Sequence, residues 1–230
     1  MANVLTIGEP MGLMVAAEQK ALKDVEHYNR YVCGAEVNFA VGMSRLGHQT
    51  AYISRVGNDP FGQHILDFLA NQGISTNYVT LDNVNRTGMQ LKAKNPNGDP
   101  EVVNFRRFTA FSYIDPSIVD SINWSRYDHL HVTGIPAALS DSCRATSKAI
   151  IKAAKEHGVQ VSFDTNLRPA LWPSEDAMRE AINELAFMAD IVLPGLSEGK
   201  ILTGLDIPEE IADFYLSKGV GTVVLKLGTK

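Results

Sequence analysis

The sequence predicts an α/β protein: a mostly parallel sheet with helices on both faces, carrying a small antiparallel lobe. Three observations lead there. Short apolar runs alternate with amphipathic stretches from one end of the chain to the other, the rhythm of strand–helix–strand units. The helical stretches tend to end at glycine, which accepts the left-handed backbone that closes a helix. Two extended segments, Tyr28 to Cys33 and Met89 to Phe108, break the rhythm, and the second holds the turn sequence Asn95-Pro96-Asn97-Gly98-Asp99-Pro100, a hairpin signal.

Taken in order, Asn3 to Gly8 reads as a strand running into Glu9 and Pro10. Apolar residues recur at helical spacing from Val37 to Leu46, and Gly47 stops them. Ala51 to Val56 is a strand; Asn58-Asp59-Pro60 then supplies a turn, an N-cap and a proline for the first turn of a helix from Phe61 to Asn71. Leu130 to Val132 is a strand, Asp141 to His157 a helix ending at Gly158, and Val159 to Phe163 a strand. Glu175 to Ala189 is a helix, Ile191 to Leu193 a strand, Pro208 to Lys218 a helix and Thr222 to Leu227 a strand. In such sheets ligands sit outside the carboxyl ends of the strands, so each strand-to-helix loop is a candidate site.

Composition narrows the function classes. The 230 residues are 45% hydrophobic and 20% charged, the profile of a folded globular chain rather than a disordered one. The formal charge of −5 and the absence of a Lys/Arg run argue against a nucleic-acid or anionic-membrane partner. Cys33 and Cys143 are the two cysteines and form no C-x-x-C pair. A disulfide framework or thiolate zinc site is therefore not expected, and a cytoplasmic location is. No apolar run has the length of about 20 residues that spans a bilayer, and MANVLTIGEP lacks the features of a signal peptide.

Five segments carry chemistry. In Gly34-Ala35-Glu36-Val37-Asn38-Phe39-Ala40 the small residues allow a ligand close to the backbone, and Asn38 offers an amide to a sugar hydroxyl. On the residues alone it is equally a tightly packed strand-to-helix turn. Phe163-Asp164-Thr165-Asn166-Leu167-Arg168-Pro169-Ala170-Leu171-Trp172 places Asn166 and Arg168 where a strand ends. The planar fork of Arg168 suits a carboxylate or phosphate, or else pairs with a neighbouring acid at the surface. Arg106 and Arg107 sit on the expected hairpin, where alternation turns only one of them inward. Leu193-Pro194-Gly195-Leu196-Ser197-Glu198 puts a carboxylate at a helix start, favoured there by the helix dipole alone. Val223 to Lys230 is a core strand followed by a loop. His129 and His131 share a strand face but lack a third ligand, and read as structural. No P-loop motif occurs, and Gly8-Glu9-Pro10-Met11-Gly12 fails the dinucleotide fingerprint.

Gly34, Asn38 and Ala40, followed at fixed distance by Gly47 and Gly57, resemble the first signature of the ribokinase-like (PfkB-type) carbohydrate kinases, with Cys33 where Gly or Ala is usual. The 163–172 segment is similar to the D-x-N-x-R-x-x-L-W stretch of 2-keto-3-deoxygluconate kinases within that family. The resemblance implies a ribokinase-like fold with a β-lid, here about 11–33 and 88–108, and transfer of the ATP γ-phosphoryl group to a sugar acid. It implies substrate binding by Gly34, Ala35, Asn38, Gln90, Arg106 and Arg168, and nucleotide binding by Asn166, Lys226 and Gly228. It further implies a role for Glu198 beside Mg²⁺, with Gly195 where the family has Asn. Gln90 stands where related sugar-acid kinases often carry an aromatic residue, while Met14, Val15 and Ala16 stand where neutral-sugar kinases carry a polar one. A homodimer through the lid is implied as well. The alternatives are a fructokinase or ribokinase, or a non-catalytic sugar-acid-binding protein. The family's Gly-Ala-Gly-Asp segment, with its base Asp, has no counterpart in 1–230. The expectation is thus that these residues are the N-terminal portion of one domain, inactive alone, with the base beyond Lys230.

Overall fold

The structure, a computed structural model, describes residues 1–96 and 98–228. Its main layer is a seven-stranded sheet built from β1 (Asn3–Ile7), β4 (Gln49–Gly57), β5 (Ile74–Asp82), β8 (His129–Thr133), β9 (Gln160–Asp164), β10 (Ile191–Val192) and β11 (Thr222–Val223). The order across the sheet is β11-β10-β9-β8-β1-β4-β5, and every pairing is parallel. From β1 the chain moves outward to β4 and β5, then returns to the opposite flank of β1 for β8 and moves outward again. The strand order therefore reverses beside β1, which opens a crevice at the carboxyl ends of β1 and β8.

Both faces are covered because the strands are apolar on both sides. Along β4, Ala51 and Ile53 belong to the larger core cluster, while Tyr52 between them packs with Val37, Ala40, Ile65 and Leu69. The latter four come from α1 (Ala35–Arg45) and α2 (Pro60–Asn71). Asp59 caps α2 by accepting from the Phe61 and Gly62 amides, and Pro60 opens its first turn, as the sequence predicts. The larger cluster joins Leu5, Leu130, Val161 and Phe163 to α4 (Asp141–Glu156), α5 (Glu175–Met188) and α7 (Pro208–Ser217). A short α3 (Gly134–Leu139) follows β8, and α6 (Leu196–Thr203) follows β10. The expected last strand is shorter than Thr222 to Leu227: pairing stops at Val223, and Lys226 returns only as an isolated bridge to Gly195.

A second, four-stranded sheet forms the lid, in the order β3-β2-β6-β7. It comprises β2 (Met11–Ala16), β3 (Tyr28–Cys33), β6 (Met89–Lys92) and β7 (Val102–Phe105). The outer pairs are antiparallel and the β6–β7 hairpin lies where expected, although Asn97 of its turn is outside the described residues. The central pair, β2 with β6, is parallel. The lid is thus mixed rather than wholly antiparallel, because β2 leaves the main sheet directly from β1 and runs alongside a strand that enters from β5.

Candidate sugar and nucleotide site

Where β1 ends, Glu9 turns the chain from the main sheet into the lid. Where β3 ends, Gly34 turns it back into α1. Gly34 adopts φ 149°, which favours glycine, and a Cβ there would come a tight 3.1 Å from the Glu9 carbonyl. These two crossings, with the loop after β9, enclose a cavity of about 580 Å³. Gly34, Ala35, Asn38, Gln90, Arg106 and Arg168 all line it. The six residues assigned to substrate from the sequence therefore meet in one place.

The cavity mixes apolar walls, among them Met11, Ile135 and Leu171, with polar side chains and a cationic rim. The Gln90 amide donates to Asn104 Oδ1 at 2.7 Å, and Asn38 lies on the wall at the start of α1. Arg106, Arg107 and Arg168 all line it. Arg168 donates to the Leu167 carbonyl and has no carboxylate partner among the described residues. Arg106 and Arg107 both fall beyond the end of β7, so strand alternation does not separate them. The lid stretch Met14–Ala16 is absent from the lining, which takes only Met11 from β2. A larger cavity of about 680 Å³ lies between the lid and the start of α2, lined by Phe61, Phe105 and Phe108 among others. It collects only Arg106 of the six residues, so it is a poorer match to the site expected from the sequence.

Two carboxylates in the site carry no mark in the sequence pattern. Glu9 accepts both Nε and Nη2 of Arg106, at 2.9 and 2.6 Å, and Thr109 Oγ1 at 2.6 Å. Glu36, in the first turn of α1, is buried and accepts from Thr133 Oγ1. Burial pushes its carboxyl up to about 7, against the Thr133 hydrogen bond and the Arg106 charge, which favour ionisation. Burial likewise raises the Cys33 thiol to about 11, which leaves it a neutral wall residue near neutral pH.

On the neighbouring flank, Asn166 follows β9 with φ 37°, a left-handed backbone held by its amide donating to Asp164 Oδ1. Lys226 pairs with Asp164 at 2.7 Å, so its charge is already matched inside the protein. Gly228 takes φ 78° just beyond; Thr229 and Lys230, the end of the segment assigned to the nucleotide, lie outside the described residues. Glu198 is fully engaged. Its carboxylate accepts from the Leu167 amide (2.7 Å), Thr165 Oγ1 (2.7 Å) and the Gly195 amide (2.8 Å), bracing the β9 loop against the start of α6. Among the described residues no group of three His, Cys, Asp or Glu side chains could hold a metal ion. A divalent cation therefore finds no protein cage here, and Glu198 suits it only through bound water, since hard cations of the Mg²⁺ type keep several waters. His129 and His131 both meet Ser162 Oγ, and His131 stacks on Phe39. Burial drives His131 down to about 3, so the pair is neutral and structural, as the sequence predicts.

Similarity to known proteins agrees with this arrangement. A 2-dehydro-3-deoxygluconokinase of Bacillus subtilis (strain 168) is 39% identical over 98% of this chain and 70% of its own length. One of Thermoproteus tenax is 35% identical over 100% of this chain and 70% of its own. The crystal structure of a PfkB protein from Polaromonas sp. JS666 superposes with a TM-score of 0.95 at 39% identity, covering 99% of this chain and 77% of that one. A putative ribokinase II from E. coli, solved in complex with ATP and Mg²⁺, gives 0.89 at 26% identity over 98% and 72%. The family description "pfkB family carbohydrate kinase" matches residues 1–230. With a parallel sheet, a lid crossing beside β1 and a cavity between them that gathers the six residues expected at the substrate, the chain belongs to the pfkB family of carbohydrate kinases.

Proposed function

We propose that this protein is a sugar-acid kinase that moves the γ-phosphoryl group of ATP to a primary hydroxyl of 2-keto-3-deoxygluconate. The observation that carries the reading is the cationic rim of the cavity: Arg106, Arg107 and Arg168 line it beside Asn38, Gln90 and Asn104, while of its two carboxylates Glu9 is paired with Arg106 and Glu36 is held protonated by burial up to about pH 7. Arg168 has no acid of its own among the described residues, and a guanidinium in that state meets a carboxylate with two charge-assisted hydrogen bonds. A neutral sugar would leave that capacity unused. The two 2-dehydro-3-deoxygluconokinase relatives point to the same acid.

In this reading Gly34 and Ala35 let the sugar approach the backbone, Asn38 and Gln90 hold its hydroxyls, and Arg106 and Arg168 hold its carboxylate. Asn166, Lys226 and Gly228 border ATP, supported by the ATP-bound relative of similar fold. Mg²⁺, carried on the ATP phosphates with Glu198 reaching it through water, supplies charge neutralisation. Orienting the hydroxyl towards the phosphoryl group is the contribution these residues make, since the reaction depends chiefly on positioning and charge. The active unit is a homodimer joined through the lids, in keeping with the lid's exposed Tyr31, Val102, Phe105 and Phe108.

The test is an ADP-release assay of the intact protein on 2-keto-3-deoxygluconate, fructose and ribose, repeated with Arg168→Ala. The acid is the preferred substrate, and the substitution raises its KM by about 10- to 100-fold, the equivalent of one charge-assisted contact of about 1.5–3 kcal/mol. KM for any neutral sugar stays within about twofold, since that contact needs an anion. Equal losses on acid and neutral sugar would remove the carboxylate role; preference for fructose or ribose would make it a neutral-sugar kinase; acid binding without ADP would make it a binding protein.

A further inference from the structure

We propose that Glu9 is a positioning residue for sugar-acid recognition: it grips Arg106 along one edge of the guanidinium and so presents the other edge to the substrate carboxylate. The inference rests on the sugar-acid reading above. Three observations on the geometry carry it. The Glu9 side chain is 1% exposed and that of Arg106 10%, so the pair is not a solvent-borne contact that forms and breaks freely. Nε and Nη2 of Arg106 both converge on the same oxygen, Oε2, while Oε1 is taken by Thr109 Oγ1. Among the described residues Nη1 has no partner, and Arg106 lines the cavity that collects the other substrate residues.

A buried carboxylate is costly unless its oxygens are paired. Here both are, and the arrangement is directional rather than merely neutralising. Glu9 belongs to the turn that leaves β1 at the centre of the main sheet, whereas Arg106 belongs to the lid just beyond β7. A long arginine on a lid would otherwise lose rotamer freedom at the moment of binding; one already held by a fixed carboxylate loses less, which is preorganisation of the binding group. Thr109 restrains Glu9 in turn. Glu9 also places a negative charge near an anionic ligand, so the proposal commits to a sign: losing the grip weakens acid binding more than losing the repulsion strengthens it.

Glu9→Gln tests this, because it keeps the side chain's size and one accepting oxygen while removing the charge. In the intact protein it raises KM for 2-keto-3-deoxygluconate by about tenfold with kcat changed less than about threefold, since the loss falls on binding rather than on the chemical step. Placed on an Arg106→Ala background it adds no further rise, because a residue acting through Arg106 has nothing left to position. Thr109→Val moves KM in the same direction by a smaller factor, and thermal midpoints of all variants check folding. An unchanged or lowered KM in Glu9→Gln, or effects of Glu9→Gln and Arg106→Ala that simply multiply, would overturn the proposal while leaving the substrate reading intact. A wild-type protein that turns over no acid would overturn both.

Discussion

Glu36 meets the cavity with a carboxyl that burial holds protonated up to about pH 7. Its space exists because residue 8 is glycine: a Cβ there would lie 2.4 Å from the Glu36 carboxyl. In the unfolded chain the same group ionises near its ordinary value of 4.5. Between these two values the unfolded state has released a proton that the native state still holds, so stability falls as pH rises from about 4.5 to about 7 and levels off above. Glu36→Gln removes that slope. Urea unfolding at pH 5 and pH 8 is expected to show the wild type losing on the order of 3 kcal/mol relative to the variant between the two; parallel curves would mean that Glu36 is ionised in the native protein. Residues of this kind were the hardest to read from the chain. Arg168 and Asn38 announce themselves as polar side chains at strand-to-helix turns, where a ligand sits in any parallel sheet. Glu9 and Glu36 acquire their meaning only from Arg106, Thr109 and Thr133, each about 100 residues away along the chain.

The β9 loop and α6 are joined through Glu198, which serves two elements at once. It caps the start of α6 at Gly195 and satisfies Thr165 and the Leu167 amide in the loop that carries Asn166 and Arg168. Glu198→Ala leaves those donors without their acceptor and is expected to lower unfolding stability by about 2 kcal/mol, measured by urea denaturation. A change below about 0.5 kcal/mol would mean that water replaces the carboxylate without loss. At this scale the chain was readable wherever a strand is buried on both faces. β1, β4, β8 and β9 all appear as apolar runs in the correct places, although β4 and β8 extend beyond theirs at both ends, and the helices between them carry caps and terminal glycines. β5 resists such reading because it is an edge strand with Ser75, Thr76 and Asn77 at its start and a register shift against β4. β2 resists because Met11–Ala16 is continuously apolar yet follows a proline and a strand without a helix between. Its parallel pairing with β6 depends on a segment more than 70 residues away, beyond the reach of local pattern.

At the scale of the whole molecule the lid carries an exposed aromatic group. Tyr31 is 52% exposed, Phe105 52% and Phe108 76%, and Phe108 also takes φ 56°, an uncommon backbone for an aromatic residue. Among the described residues no helix is long and apolar enough to cross a membrane. A lid-to-lid homodimer predicts twice the chain mass by light scattering, and Phe105→Asp, on the exposed lid strand β7, reduces it to one with the circular dichroism unchanged. A wild-type mass that stays monomeric across concentration would remove the dimer.

The parallel pairing at the centre of the lid has one more consequence, which concerns the order in which the chain assembles. β2 and β6 can meet only when everything from Gly12 to Met89 has been looped back, and that stretch contains α1, β4, α2 and β5. Closing so long a loop costs more chain entropy than forming the local strand–helix units inside it. Forming the α/β half-layer first shortens that loop and so favours the lid's central ladder. The sugar cavity takes Met11, Cys33 and Gln90 from the lid and Gly34 to Asn38 from the start of α1, so its walls are complete only once that ladder has closed.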